Sequence, residues 1–298
     1  KSLPPAEAPF SKKSLEVEAT KAHFDRLWLR TPEKYDPLKT RLGKERIQRT
    51  FHLINSHMDL KNLRVADLGC GSGALTCMLR DHGATVDALD VSSVALQKLC
   101  QNNLENIKVI QDCLPDTRLQ DKAYDLVLCA DVIGDIPVKL QRLLLSESAR
   151  ILRSDGFFLC STPIDIFSRN ALQHFSKILS TEFTALVWDI SYHRAFLHLR
   201  NFLQTPSEFT KAYQNLSYRN QELNERSGLS RLWFTLNTRA PLSYLWKYFS
   251  PICKPTIKSL DNSRRILLLL EKVSRLIWNQ SAISHAIFLG KQRRLVRH

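Results

Sequence analysis

Glycine is scarce in this 298-residue chain, at nine residues, so any cluster of glycines is informative. Apolar runs are short. The longest, such as Ile266-Leu267-Leu268-Leu269-Leu270, fall far below the roughly 18–20 residues that span a bilayer as a helix. Seven cysteines are present (Cys70, Cys77, Cys100, Cys113, Cys129, Cys160 and Cys253), an odd number with no CxxC pair. Most sit within apolar runs, so they read as reduced, packed thiols of a cytoplasmic protein, not as a disulfide framework or a metal site. There is no internal repeat and no low-complexity tract. The opening residues hold lysines and prolines but no apolar core of a secretory signal, and a start on Lys1 rather than Met reads as trimming or processing.

Acidic residues are also in short supply. The chain has 43 Lys and Arg against 29 Asp and Glu, a formal charge of +14 and a pI near 9.6. With 44% hydrophobic and 24% charged residues it is no wholly disordered chain, and its length allows one large domain or a domain with a sizeable accessory part. The excess charge is uneven: residues 1–63 carry +5, residues 64–163 carry −3 and residues 164–298 carry +12. Basic flanks suit an anionic partner such as nucleic acid, a membrane surface or an acidic substrate, and equally a solvated basic surface.

Residues 1–12, with three prolines, read as a poorly ordered tail. Helical spacing follows over about 14–28 and 44–57, giving an N-terminal region of tail and helices over 1–62. The pattern then changes. Short β-branched runs at 64–68, 84–90, 107–112, 124–131 and 156–162 alternate with amphipathic segments near 73–82, 92–104 and 137–153. That alternation predicts an α/β core over 63–163, a parallel sheet with helices on both faces. After Pro163 the alternation stops. Segments near 166–179, 206–223, 241–249 and 261–278 read as helices of a mostly helical part over 164–298, with late strands expected near 229–236 and 285–289.

The informative stretch is Val65-Ala66-Asp67-Leu68-Gly69-Cys70-Gly71-Ser72-Gly73. An apolar strand runs straight into Gly-x-Gly-x-Gly and then a helix. Glycines let the backbone turn sharply at the strand's carboxyl end and let a ligand lie against the main chain. A dinucleotide site needs GxGxxG, and here the third glycine has the wrong spacing. Asp67 would also repel a pyrophosphate, whereas beside a cationic amino-acid ligand it is sensible. The second strand ends at Asp90, 17 residues after Gly73, where a carboxylate can take both hydroxyls of a ribose. The third ends at Asp112-Cys113, suited to an adenine amino edge. Together these ask for a ribose, an adenine and an amino-acid tail, without phosphate.

At this point the sequence resembles the class I S-adenosylmethionine-dependent methyltransferases, well over residues 20–163 and more loosely beyond. The motifs that carry the resemblance are VADLGCGSG (65–73), ALDVSS (88–93), QDCLPD (111–116), YDLVLCADVIGDIP (124–137) and ILRSDGFFLCSTP (151–163). It implies a seven-stranded Rossmann-like sheet with N-terminal lid helices and a C-terminal helical cap or insertion. The implied cofactor is S-adenosylmethionine, with S-adenosylhomocysteine as product. Gly69, Cys70, Gly71 and Gly73 then line the methionine part and ribose, with Asp67 beneath the loop. Asp90 takes the ribose hydroxyls, Val91 packs on adenine, and Asp112 and Cys113 meet its edge. Ala130 and Asp131 flank the sulfonium or methionine tail.

Within the family the look is of quinone O-methylating enzymes. The stretch 24–47 is similar to their lid, 198–216 to the lid and helix after their fifth strand, 226–237 to a Gly-led sixth strand and 284–292 to an antiparallel seventh. One departure is clear: where those members commonly have Glu-His after the fourth strand, this chain has Gly134-Asp135. No metal site is expected. His193, His198, Asp135 and Asp165 are the candidate proton acceptors, and the aromatics Trp188, Tyr192, Phe196, Trp233, Tyr244, Trp246 and Tyr248 are candidates to line a flat acceptor.

Three functions compete. One is methyl transfer to an O or N atom of a small aromatic or lipophilic acceptor, another is methylation of RNA through the basic C-terminal part, and the third is a non-catalytic binding protein of the same fold. The segment 263–278 reads as a cationic amphipathic helix of the kind that can lie on an anionic membrane.

Overall fold

The computed structural model describes residues 12–165, 170–239 and 242–293. The proline-rich start of the chain and residues 166–169, the expected start of one helix, lie outside them. The chain divides into two compact units, residues 1–191 with 284–298, and residues 192–283.

The first unit opens with α1 (Lys12–Arg30), the single turn α2 (Pro32–Tyr35), a 3-10 turn at Pro37–Lys39 and α3 (Arg41–His57). Strands and helices then alternate: β1 (Arg64–Leu68), α4 (Ala74–Asp81), β2 (Thr85–Asp90), α5 (Ser93–Leu99), β3 (Ile107–Gln111), β4 (Tyr124–Ala130), α6 (Val138–Ile151), β5 (Leu152–Pro163), α7 (Ala171–Leu179) and β6 (Phe183–Tyr192). The last strand, β7 (Ile283–Gln292), returns after the second unit. Together they form one seven-stranded sheet in the order β3-β2-β1-β4-β5-β7-β6. β1 to β5 pair in parallel, and β7 runs antiparallel to β5 from Phe157↔Lys291 to Pro163↔His285. Successive residues of β1, β2 and β4 are buried, for example Val65, Ala66 and Leu68 or Leu126, Val127 and Leu128. Because neighbours in a strand point to opposite faces, both faces of the central sheet are covered, as the alternating pattern predicts. The order reverses between β1 and β4, which opens a crevice at the carboxyl edge of the sheet.

Two expectations are corrected. Residues 229–236 are not a strand: they form α10 (Gly228–Asn237). Leu229, Leu232, Trp233 and Leu236 recur at a spacing of three and four, the helical period, and that spacing prevails over the β-favouring Trp233, Phe234 and Thr235. The sixth strand is instead β6, where Phe183 and Ser191 are its buried residues. The stretch 198–216 accordingly follows the sixth strand, not the fifth.

The second unit is helical: α8 (Arg194–Gln214), α9 (Leu216–Glu225), α10, α11 (Leu242–Asn262) and α12 (Arg264–Trp278). Its buried centre includes Phe209, Ala212 and Phe234, with Tyr218, Leu223 and Trp246 packed against them. Its two ends meet at the sheet, where Ser284 Oγ donates to Ser191 O at 3.3 Å. All seven cysteines are free; Cys129 and Cys160 are buried, while Cys100 is exposed. No described helix is long and apolar enough to cross a membrane.

Candidate cofactor site

The glycine loop begins where β1 ends. Gly69 and Cys70 both donate their amides to Leu89 O, at 2.7 and 2.8 Å, which ties the loop to β2. Gly71 has φ +56, and a Cβ there would come within 3.0 Å of the Trp28 ring. The bare backbone thus leaves room between the loop and α1. Gly73, at φ +78, is the N-cap of α4. A Cβ on it would stand 2.3 Å from Leu99, so it serves the packing of the turn, and it is not among the residues that line the cavity.

That cavity has a volume of about 600 Å³. It brings together Asp67, Gly69, Cys70, Gly71, Asp90, Val91, Asp112, Cys113, Ala130, Asp131 and Asp135 from the sequence reading. Each comes from, or just after, the carboxyl end of β1, β2, β3 or β4. Ser161, Thr162 and Pro163 add the end of β5, and Thr20, Phe24, Trp28, Tyr35, Pro37, Arg46, Ile47 and Thr50 add the N-terminal helices.

Asp90 is fixed from both sides. Its Oδ2 accepts from Gly71 N at 2.9 Å and its Oδ1 from Ser92 N at 2.8 Å. Burial still raises its carboxyl above the ordinary range, against the pull of these amides. Asp67 lies beneath the loop and accepts from Thr76 Oγ1 at 2.6 Å. Burial pushes it up to about 6. Burial likewise raises the thiols of Cys70 and Cys113, so neither is an activated nucleophile.

Asp131 stands just past β4 with φ +59, a conformation that is uncommon outside glycine. Its Oδ1 accepts from Ser161 Oγ at 2.8 Å and pairs with His285 Nε2 at 2.6 Å, while its Oδ2 lies 3.1 Å from Arg46 Nε. Burial opposes ionisation here, but His285 and Arg46 outweigh it and hold the carboxyl well below the usual range. Tyr35 has its hydroxyl pushed toward the protonated form by burial and by the nearby charge of Asp135.

The other candidates go elsewhere. Asp165 is exposed after β5. His193 is a buried residue at the start of α8, in the helical unit. His198 is exposed on α8, takes a hydrogen bond from Arg194 Nε at 3.3 Å and lies beside Trp278. Trp188 packs edge-on to Phe175 and Phe288 in the sheet unit. Phe196 is buried, whereas Trp233, Tyr244 and Tyr248 are exposed on the helical unit.

Sequence reasoning missed the residues that secure the N-terminal helices. Asp25 of α1 accepts from Ser92 Oγ at 2.7 Å, Ser93 Oγ at 2.9 Å and Val94 N at 3.2 Å, at the start of α5. Burial works against its ionisation, yet these donors hold the carboxyl below its ordinary value. Asp36 accepts from Leu38 N at 3.1 Å and from Ser72 Oγ in the glycine loop at 3.4 Å. The Lys98 ammonium sits 4.7 Å over the Trp28 ring.

The charged groups on the wall decide what fits. Asp67, Asp90, Asp112, Asp131 and Asp135 face one guanidinium, Arg46. Five carboxyls against one cation disfavour a pyrophosphate and suit a nucleoside with a cationic tail. The loop that a Cβ would fill and the doubly held carboxylate at the end of β2 fit the same ligand. Among the described residues no cluster of His, Cys, Asp and Glu could hold a metal ion.

Residues 65–156 match a methyltransferase-domain family. Among curated proteins, a ubiquinone biosynthesis O-methyltransferase of Pelagibacter ubique is 26% identical over 133 residues, 43% of this chain and 53% of that protein. A ribosomal protein L11 methyltransferase of Desulfitobacterium hafniense is 40% identical over 106 residues, 34% of this chain and 31% of that one. The matches thus span about half, or less, of these relatives. Among solved structures, magnesium protoporphyrin IX methyltransferase from Synechocystis PCC 6803 with bound SAM aligns with a TM-score of 0.49 at 19% identity, covering 62% of this chain and 92% of that one.

Proposed function

We propose that this chain, which carries a class I S-adenosylmethionine-dependent methyltransferase domain, binds S-adenosylmethionine in the acidic cavity and transfers its methyl group to an O or N atom of a small aromatic or lipophilic acceptor. The observation that carries this reading is the five-to-one excess of carboxyls over cations around a glycine loop at the switch point of the sheet. The bound cofactor supplies an electrophilic methyl carbon and a thioether leaving group.

The chain's own residues bind, orient and exclude water. Asp90, whose carboxylate is oriented by Gly71 N and Ser92 N, takes the ribose hydroxyls with its remaining lone pairs. Val91, Asp112 and Cys113 provide the adenine slot. Arg46, the guanidinium on the wall, meets the carboxylate of the amino-acid tail. Trp28 and Tyr35 close the cavity from the side of the N-terminal helices and keep the reacting atoms away from bulk water. Of the candidate proton acceptors, Asp135 is the one on the wall, beside Tyr35, and it takes the acceptor's proton. The ubiquinone-biosynthesis relative supports a small lipophilic acceptor.

Calorimetry with S-adenosylmethionine and S-adenosylhomocysteine tests the cofactor. Wild type binds both, and Asp90→Ala weakens binding by about ten- to a hundredfold, the worth of hydrogen bonds to a charged group. No binding by wild type would refute the reading. A labelled-methyl transfer screen over fractionated small molecules then identifies the acceptor, and Asp135→Asn is expected to lower turnover more than cofactor affinity.

A further inference from the structure

Amphipathic helices of a water-soluble domain turn their apolar stripe inward. In the helical unit α10 and α11 turn apolar residues outward as well as inward. Leu229, Leu232, Trp233 and Leu236 share one face of α10, and that face is exposed, Leu229 by 84% and Trp233 by 61%. Along α11, Tyr244, Leu245, Tyr248, Phe249 and Ile252 form a second exposed face, with Tyr248 at 73%. The inward sides bury Phe234 and Leu260 together with polar groups. Asn237 is buried and takes a hydrogen bond from Trp246 Nε1 at 3.1 Å, and Ser250 is buried against Ser207 at 2.8 Å. Exposed contiguous apolar surface of this kind marks an interaction site.

The chemistry of the rim indicates what covers it. The unit holds fourteen Lys and Arg against five Asp and Glu. On α11 the lysines Lys247, Lys254 and Lys258 recur at spacings of seven and four, so they form a row on one side of the helix that starts beside the apolar face and runs on past Ile252. None of the three has an ion-pair partner among the described residues. An apolar face with exposed Trp and Tyr and a flanking row of long cations is the pattern of a helix lying in the interface of an anionic bilayer, with the cations reaching out to the headgroups. No described helix could cross the membrane, so the contact is peripheral.

We infer that the outward faces of α10 and α11 seat the helical unit on an anionic lipid surface. The inference is independent of the methyltransferase reading. The test is co-sedimentation of the full chain with vesicles of phosphatidylcholine alone and with phosphatidylglycerol added, with light scattering of the free protein. Anionic vesicles bind at least about tenfold more tightly than neutral ones, and raised salt weakens the binding. The combined substitution Leu232→Ser, Trp233→Ser, Tyr248→Ser and Ile252→Ser abolishes it, with circular dichroism to check that the helices persist. The combined substitution Lys247→Gln, Lys254→Gln and Lys258→Gln touches no buried residue and removes the anionic preference. The inference fails if wild type binds neither vesicle, if the lysine variant keeps its anionic preference, or if the apolar face is consumed by a dimer that the serine variant dissolves. Binding to structured RNA with no binding to vesicles overturns it as well. Calorimetry with S-adenosylmethionine on the same sample reports the cofactor site separately.

Discussion

His285 Nε2 lies 2.6 Å from Asp131 Oδ1, joining the last strand of the sheet to the end of the fourth across 154 residues of sequence. An ionised carboxylate can only accept, so Nε2 carries the proton. With Arg46 on the other oxygen, the pair fixes a residue that sits at a positive φ on the cavity wall.

Asp131→Asn therefore loses two charge-assisted contacts while keeping its shape, and is expected to cost about 2–3 kcal/mol at pH 7. The carboxyl is depressed in the folded protein, so its contribution is present above the unfolded value near 3.9 and fades as pH falls below about 4. Urea unfolding of wild type and variant across pH 3–7 checks this. A gap that stayed constant through that range would rule out the ion pair as its source.

Asp67 behaves with the opposite sign. Its folded carboxyl is raised to about 6, so between about pH 4 and 6 the folded state holds a proton that the unfolded state has released. Stability therefore falls as pH rises through that window, by on the order of 3 kcal/mol. Asp67→Asn is expected to flatten this dependence and to be more stable than wild type at pH 7–8 when no ligand is bound. Denaturant titrations at pH 4 and pH 8 measure the difference.

Asp25 acts at a distance from the cavity, through the start of α5. Asp25→Ala removes three acceptor contacts and leaves Val94 N and two serine hydroxyls to water. The loss of such a cap is worth about 1 kcal/mol. Amides of residues 12–30 are expected to exchange faster, and S-adenosylmethionine to bind several-fold more weakly. Hydrogen exchange read by mass spectrometry settles the first point, and unchanged protection of this helix would show that Asp25 does not anchor it.

Gly43 offers a test in which the usual rule inverts. Inside an exposed helix, Gly→Ala normally stabilises by up to about 1 kcal/mol. Here a Cβ would stand 2.2 Å from Pro37 O, a backbone atom that cannot swing away. Gly43→Ala is expected to destabilise by about 1–3 kcal/mol and to part the Pro37–Lys39 turn from α3. Thermal unfolding reads the sign directly.

The central sheet was legible because β1, β2 and β4 are buried on both faces, so their apolar runs carry no competing period. The glycine loop and the carboxyls at 90 and 131 were legible because each follows such a run, and Asp112 because it follows the short partly buried run of β3. The sixth strand was not. In FTALVWDISY only the ends are fully buried, and its half-covered middle gives a weaker signal than the leucines of α10. Residues 229–236 read as a strand of the sheet, whereas their leucines form the exposed face of α10. Arg46, His285, Asp25 and Asp36 were invisible for a different reason. Each acts on a partner far along the chain, and no local spacing announces a contact over 67 or 154 residues.

The meeting of Ser191 with Ser284 has a consequence for how this protein can be rearranged. A segment of 92 residues leaves and re-enters the sheet through two points within hydrogen-bond reach. A short hairpin could bridge the same gap, because β6 and β7 are already neighbours in the sheet. The helical unit is thus a removable module in the topological sense. Replacing it with a few turn residues alters no strand order and threads no loop. The parallel strands and their cavity could then be examined without the apolar helices, and those helices could be grafted onto another hairpin with their two ends held as they are here.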